Sequence, residues 1–303
     1  MPGFATSPAK SEVIARVGFK KIFIATDYSA FSNKAMHYGL AIARSYHSKV
    51  CLANVVSSLG FAMSGPEVVS EALHLGINEA ADLRKKLEAG GFLENVSAEI
   101  DVEHGTDVAQ QLFEMIHRFA PDLIVLGTHG RTGLKKIWLG SVAEKIFRSA
   151  SCPVLTVGPS VAWPKAQQAS PRILFPTDFS PESVRALDGC FAFAEAKGSG
   201  LLLLHVAPEP SGEAAADKKR ITDALLARLR GLLPRPIAAK IPVRIEFGEV
   251  QSTICSIAEE ECCSLIVMAL HANPGLLQGR WEHAYQVVCD ATCPVLTVRA
   301  RKD

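Results

Sequence analysis

Asp122-Leu-Ile-Val-Leu126 runs straight into Gly127-Thr-His-Gly130, and nine residues separate Gly130 from Gly140-Ser-Val142. The first five residues form a short apolar run of the kind that makes a strand buried on both faces of a parallel sheet. Ser141-Val-Ala-Glu-Lys-Ile-Phe147 has helical spacing. A strand therefore opens into a glycine-bearing loop that ends at a helix N-terminus. Glycine lets backbone N–H groups approach an anion with no side chain in the way, and the helix end adds unpaired donors and partial positive charge. Ser141 adds a hydroxyl there. The segment reads as a phosphate loop in an α/β fold.

Outward from this segment, the chain repeats itself. Lys21-Ile-Phe-Ile-Ala-Thr-Asp-Tyr-Ser29 returns as Arg172-Ile-Leu-Phe-Pro-Thr-Asp-Phe-Ser180, and Cys152-Pro-Val-Leu-Thr-Val157 returns as Cys293-Pro-Val-Leu-Thr-Val298. The copies stand 151 positions apart at the first strand (27 to 178) and 141 at the last (152 to 293). The second copy has thus lost a net ten residues, mostly after its second strand. Two copies are too few for a solenoid, and each is long enough to be a domain. Short apolar runs alternate with helical patterns, which indicates a parallel sheet. In copy one the strands are expected near 20–26, 49–56, 97–103, 122–127 and 153–157, with helices near 30–46, 66–90, 106–119 and 141–150. Copy two repeats the plan from Arg172 to Arg299. The domains are drawn as 1–159 and 170–303. A linker from Gly158 to Ser170 lies between them, its prolines and small polar residues discouraging regular structure.

With 303 residues, 48% hydrophobic, and a net charge of +1, the chain has a soluble globular profile without the electrostatic footprint of a nucleic-acid binder. No signal-peptide pattern opens it and no long apolar run crosses it, so a cytoplasmic location is expected, with no membrane contact. Eight cysteines include five in the last fifty residues, with His271 and His283 nearby. No C-x2-C pair occurs among them, so the expectation is buried structural thiols rather than a zinc or redox site.

Open parallel sheets bind ligands beyond the carboxyl ends of their strands. Asp27 stands at that end of strand one, Val55 closes strand two, and the glycine loop follows strand four. An acid beside a phosphate loop suits the hydroxyls of a ribose, and a strand-end backbone near Val55 suits a base edge. Asp27 also has a structural reading, as a helix cap before Ser29. The loop is not G-x4-G-K-S/T, no G-x-G-x-x-G follows the first strand, and no G-x-S-x-G elbow is present.

The spacing G-x2-G-x9-G-S, with Ala25-Thr-Asp-Tyr-Ser29 before it and Cys152-Pro-Val-Leu-Thr-Val157 after it, resembles the universal stress protein family. The likeness covers nearly the whole chain. It implies two tandem Rossmann-like domains, doubly wound around five-stranded, mainly parallel sheets. The family's pairing of domains through the last strand implies a pseudo-dimer within this chain, with a homodimer and an unidentified protein partner beyond it. For the motif-bearing branch it implies ATP, with Mg²⁺ or Mn²⁺ on the phosphates. By matching position, Ala25, Thr26, Asp27 and Val55 would line the adenosine end. Leu126, Gly127, Thr128, Gly130, Arg131, Gly140, Ser141 and Val142 would form the phosphate end. No catalytic or metal-ligating residue is assigned, and His129 is read as a loop side chain.

Copy two departs from the motif. Gly127 and Gly130 become Ala269 and Ala272, one loop residue is missing, and Gly140-Ser141 becomes Trp281-Glu282. A carboxylate there repels phosphate, by up to roughly 4 kcal/mol at about 4 Å and an effective dielectric near 20. Only copy one is expected to bind ATP. The leading function is a nucleotide-dependent regulatory module of stress response. A slow ATPase and a nucleotide-independent dimerisation scaffold are its rivals.

Overall fold

A computed structural model describes residues 18–57, 66–128, 140–162, 171–212, 217–234, 238–270 and 278–299. Copy one contributes β1 (Lys21–Ala25), α1 (Ala30–Tyr46), β2 (Lys49–Ser57), α2 (Pro66–Ala89), β3 (Ser97–Gly105), α3 (Val108–Phe119), β4 (Leu123–Gly127), α4 (Ser141–Ser149) and β5 (Val154–Val157). Copy two contributes β6 (Arg172–Pro176), α5 (Pro181–Ala196), β7 (Gly200–Ala207), α6 (Lys218–Gly231), β8 (Val243–Phe247), α7 (Val250–Glu260), β9 (Leu265–Leu270), α8 (Gln278–Asp290) and β10 (Val295–Arg299). The element order matches the pattern read from the sequence, with ends moved by a residue or two. One correction matters for the site: β2 runs to Ser57 and pairs with β3 as far as Ser57 opposite Gly105, so Val55 does not close the strand.

All ten strands form one sheet in the order β3-β2-β1-β4-β5-β10-β9-β6-β7-β8. Each half is parallel throughout, and the halves meet where β5 and β10 pair antiparallel. Leu155 lies opposite Leu296, its own counterpart in the repeat, while Val154 faces Thr297 and Thr156 faces Val295. A residue that meets its own equivalent marks a two-fold axis, so the junction has the self-complementary form of a symmetric dimer interface. It also pairs a strand that would otherwise be an open edge in each half.

Side chains alternate across the sheet and feed two cores. Phe23, Ile124 and Val154 pack on one face with Met115 of α3, Ile146 of α4, Ile254 of α7 and Val287 of α8. Ile22, Ile24 and Leu155 pack on the other with Met36 of α1, Leu87 of α2, Leu187 of α5 and Leu229 of α6. Both cores draw on both copies, so the halves share their hydrophobic stabilisation. The linker begins less loosely than its composition suggests. Val161 is buried in the second core, and Lys34 of α1 donates to the carbonyls of Pro159 and Val161.

All eight cysteines are free thiols, and Cys262 alone is exposed. Burial pushes Cys51, Cys152, Cys255 and Cys293 up to about 12, where the reactive thiolate is scarce. No cluster of three or more His, Cys, Asp or Glu side chains able to hold a metal occurs among the described residues. Nor is any described helix long and apolar enough to cross a membrane.

Candidate functional site

The turn after β1 is fastened from several directions. Thr26 donates its amide to the Ala53 carbonyl (2.9 Å), and Asn54 donates its side-chain amide to the Thr26 carbonyl (2.8 Å). Thr26 Oγ1 lies 3.1 Å from Ser32 Oγ and accepts from the Tyr28 amide at 3.1 Å. Tyr28 sits at φ 62°, a left-handed conformation that a side chain other than glycine enters only when its surroundings insist. Asp27 Oδ1 accepts from the Ser29 amide at 3.1 Å, and Ser29 Oγ accepts from the Ser32 amide at 3.2 Å. The cap of α1 is therefore Ser29, and Asp27 braces the turn one step earlier. Its carboxylate is thereby held at the rim of the cleft. Because Ala53 points its carbonyl toward β1, the alternation of the strand turns the N–H and C=O of Val55 the same way, past the point where β1 has ended.

Opposite this turn lies the end of β4. Thr128 donates its amide to Val157 and accepts from the Gly140 amide at 2.7 Å, which ties the start of α4 to the strand end. Gly140 is the N-cap and makes no side-chain cap, whereas α1, α3, α5 and α7 are capped by Ser29, Asp107, Ser180 and Glu249. Glu144 is the first α4 amide bonded back to Gly140, so the amides of Ser141, Val142 and Ala143 have no helical acceptor. These are the donors that the sequence places at a phosphate. Gly127 has a second reason to be glycine. A Cβ there would come within 3.2 Å of the backbone of Phe31 and Ser32 in α1. Gly130, Arg131 and His129 lie outside the described residues.

The two sides enclose a cavity of about 230 Å³. Ala25, Thr26, Asp27, Val55, Leu126, Gly127, Thr128, Gly140, Ser141 and Val142 all line it, so every described residue assigned to the site from sequence comes together. Val108 and Leu112 of α3, with Ser32 and Ala143, line it too and were not foreseen. Their signal was available: Val108 and Leu112 are one helical turn apart on the apolar face that follows Gly105. Asp107 caps α3 through the amides of Ala109 (2.9 Å) and Gln110 (3.2 Å) and meets Lys145 of α4 at 3.1 Å. The Gln110 amide first, and then Lys145, hold its carboxyl below the usual carboxylate range. Lys145 is thereby held at the start of α3, outside the residues that line the cavity.

Comparison with known proteins places this architecture. The family model described as the universal stress protein family matches residues 18–158 and again 170–299. The chain belongs to the universal stress protein family. It is 35% identical to a universal stress protein of Methanocaldococcus jannaschii over 143 residues, covering 46% of this chain and 82% of that one. A universal stress protein of Mycolicibacterium smegmatis is 26% identical over 294 residues, covering 92% of this chain and 97% of its own. The crystal structure of a universal stress protein from Archaeoglobus fulgidus shares the fold, with a TM-score of 0.65 at 19% identity, over 95% of this chain and 99% of that one. One universal stress protein of known structure was crystallised in complex with cAMP.

The second universal stress domain keeps one wall of the site and replaces the other. Thr177 Oγ1 meets Ser183 Oγ at 2.7 Å and accepts from the Phe179 amide at 3.1 Å, with Phe179 at φ 60°. Asp178 Oδ1 accepts from the Ser180 amide at 2.9 Å, and the ring of His205 takes the place of Asn54, its Nδ1 2.7 Å from the Thr177 carbonyl. The wall at the helix start is different. Helix α8 begins at Gln278, so Glu282, the counterpart of Ser141, lies a full turn inside the helix. The amides that α4 leaves unbonded are thus absorbed into the α8 ladder. The side-chain placements of Trp281 and Glu282, and the whole of Ala272, fall outside the described residues. A cavity of about 280 Å³ remains, with Met268, Ala269, Leu270 and His283 at this end.

Proposed function

We propose that the first domain binds ATP and that the chain acts as a nucleotide-dependent regulatory module in stress response. One observation carries this reading: the uncapped amide end of α4 and the braced carboxylate of Asp27 line the same cavity. In this reading the base lies among Val108, Leu112 and Leu126, with its edge at the backbone of Val55. Asp27 accepts from the ribose hydroxyls. The amides of Ser141 and Val142, the Ser141 hydroxyl and the loop residues Gly130 and Arg131 meet the phosphates, where the helix end supplies partial positive charge. Mg²⁺ or Mn²⁺ accompanies the nucleotide as phosphate-held ion with water completing its shell, the usual arrangement for Mg²⁺ on nucleotides.

Calorimetric titration of the full chain with Mg-ATP tests it. The expected stoichiometry is one per chain, because α8 starts a turn before the position that Ser141 holds and its free amides lie away from that place. Two equivalent sites would refute the assignment to copy one, and no heat would refute ATP. Steady-state phosphate release from the same sample tells a binding module from a slow ATPase.

A further inference from the structure

We infer that the cavity of the second domain is a binding site for a phosphate-free nucleoside. The base and sugar positions rest on the reading of copy one, while the loss of phosphate is argued from copy two alone. The polar wall is retained, with His205 in place of Asn54. Thr177, Phe179 and Ser183 rebuild the same left-handed turn, and Asp178 is braced by the Ser180 amide as Asp27 is by Ser29. Thr177 donates its amide to the Leu204 carbonyl at 2.8 Å, so Val206 turns its backbone polar groups past the end of β6 as Val55 does past β1. A base edge and a pair of sugar hydroxyls thus meet the same partners in both halves. Between them, Val206, Val250, Ile254 and Met268 supply an apolar slot for a flat ring.

The far end rejects phosphate and suits a hydroxyl. Its amides are tied up within α8, and Leu270 stands where Thr128 stood. No lysine replaces Lys145, whose position is held by Gln286. The cap carboxylate, Glu249, is committed to the amides of Gln251 and Ser252, and its negative charge lies 3.8 Å from His283 Nδ1. That nitrogen is shielded and has no hydrogen-bond partner among the described residues. His283 lines the cavity at the position of Val142, where its ring offers a hydrogen-bond partner of the kind a 5′-hydroxyl requires.

Met268 reports on this cavity directly. The chain has five methionines, so the ¹³C-methyl spectrum of methionine-labelled full-length protein is sparse, and Met268→Leu assigns the resonance. The experiment is run in a Ser141→Glu background, which disables the phosphate end of copy one. Adenosine is expected to move the Met268 methyl saturably, and ATP at equal concentration is not. Val250→Trp, at the partly exposed first turn of α7, should fill the slot and abolish the shift. Asp178→Asn, which keeps the brace and leaves the fold alone, should weaken it by roughly tenfold, the loss of one charge-assisted hydrogen bond. The inference is overturned if none of adenosine, guanosine, cytidine and uridine moves Met268, or if ATP moves it as strongly as adenosine. Failure of ATP to bind the parent chain, with Met268 still responding to adenosine, would instead sink the copy-one reading and leave this one standing.

Discussion

Ser141 and Glu282 occupy the same place in the repeat but not the same place in a helix. Ser141 is the first residue of α4 and is exposed at the cavity, while Glu282 lies inside α8. Ser141→Glu tests what that difference means. A glutamate in the first turn is favourable to the helix itself, so the variant should fold with an unchanged melting temperature in the absence of ligand. Saturating ATP, at about 100 times its Kd, should stabilise the parent by roughly 2.7 kcal/mol and the variant by almost nothing. Equal thermal shifts would place the nucleotide elsewhere. The cysteines give a second test at this scale. Cys262 is the exposed thiol, and the partly covered Cys152 and Cys255 are pushed up to about 12 by burial. A thiol reagent near pH 8 should therefore titrate one cysteine rapidly in the native protein and all eight after denaturation. Rapid reaction of three or more would contradict the packing described.

Among the elements, α3 is the one whose part in the site its apolar spacing only half disclosed. Its apolar spacing marks a buried face, yet whether that face meets only the sheet or also a cleft depends on where the neighbouring helix starts. Asp107 couples the two helices, capping α3 while paired to Lys145 of α4. Because its carboxyl is held below its ordinary value in the folded state, the stabilisation it provides is present above that ordinary value. It is lost as pH falls through the lowered one. Lys145→Met should move the Asp107 titration upward, part of the way back to the ordinary range, in a carboxyl ¹³C pH titration. The Gln110 amide, the larger cause, would keep the remainder. An unmoved titration would mean that the pair is not formed in solution. The contrast between α4 and α8 belongs here as well. A helix that starts one turn earlier carries its free amides away from the position of Gly140 and Ser141 without any need for a repelling charge, a change that substitution by substitution reading of those residues does not reveal.

For the whole molecule, the junction of β5 and β10 decides the architecture. Its register around Leu155 and Leu296 is that of a symmetric dimer, and the two cores run through it. Residues 1–162, which retain Val161 and the linker contacts to α1, should therefore form a two-fold dimer through β5 when produced alone, since the strand edge left bare is self-complementary. Light scattering that showed a strict monomer at high concentration would argue that copy two contributes more than an edge strand. Association of complete chains needs a different surface, because β5 and β10 are already paired. Leu75 and Ile77 of α2, 60% and 47% exposed, offer one. If the homodimer expected from the sequence forms through this face, Leu75→Glu should reduce its mass by half in light scattering, and an unchanged mass would move the interface elsewhere.

The duplication, the order of strands and helices and the place of the glycine-bearing connection between β4 and α4 were legible in the sequence, because hydrophobic period and glycine placement are local properties that survive without knowledge of neighbours. Asp27, Thr128 and Ser141 could be assigned to one site for the same reason: each stands at the carboxyl end of a strand or the start of a helix, and parallel sheets bring those ends together. What needed the tertiary structure was anything set by contact between distant segments. The register of Leu155 on Leu296 follows from two halves burying their last strands against each other, not from either strand's composition. Gly127 owes its lack of a side chain to the backbone of Phe31 and Ser32, a neighbour 95 residues earlier in the chain (127 to 32). The second cavity was hidden for the same reason. Its lining comes from β6, β7, β9, α5, α7 and α8, and only their packing shows that a pocket remains where the glycines and serine of copy one are replaced.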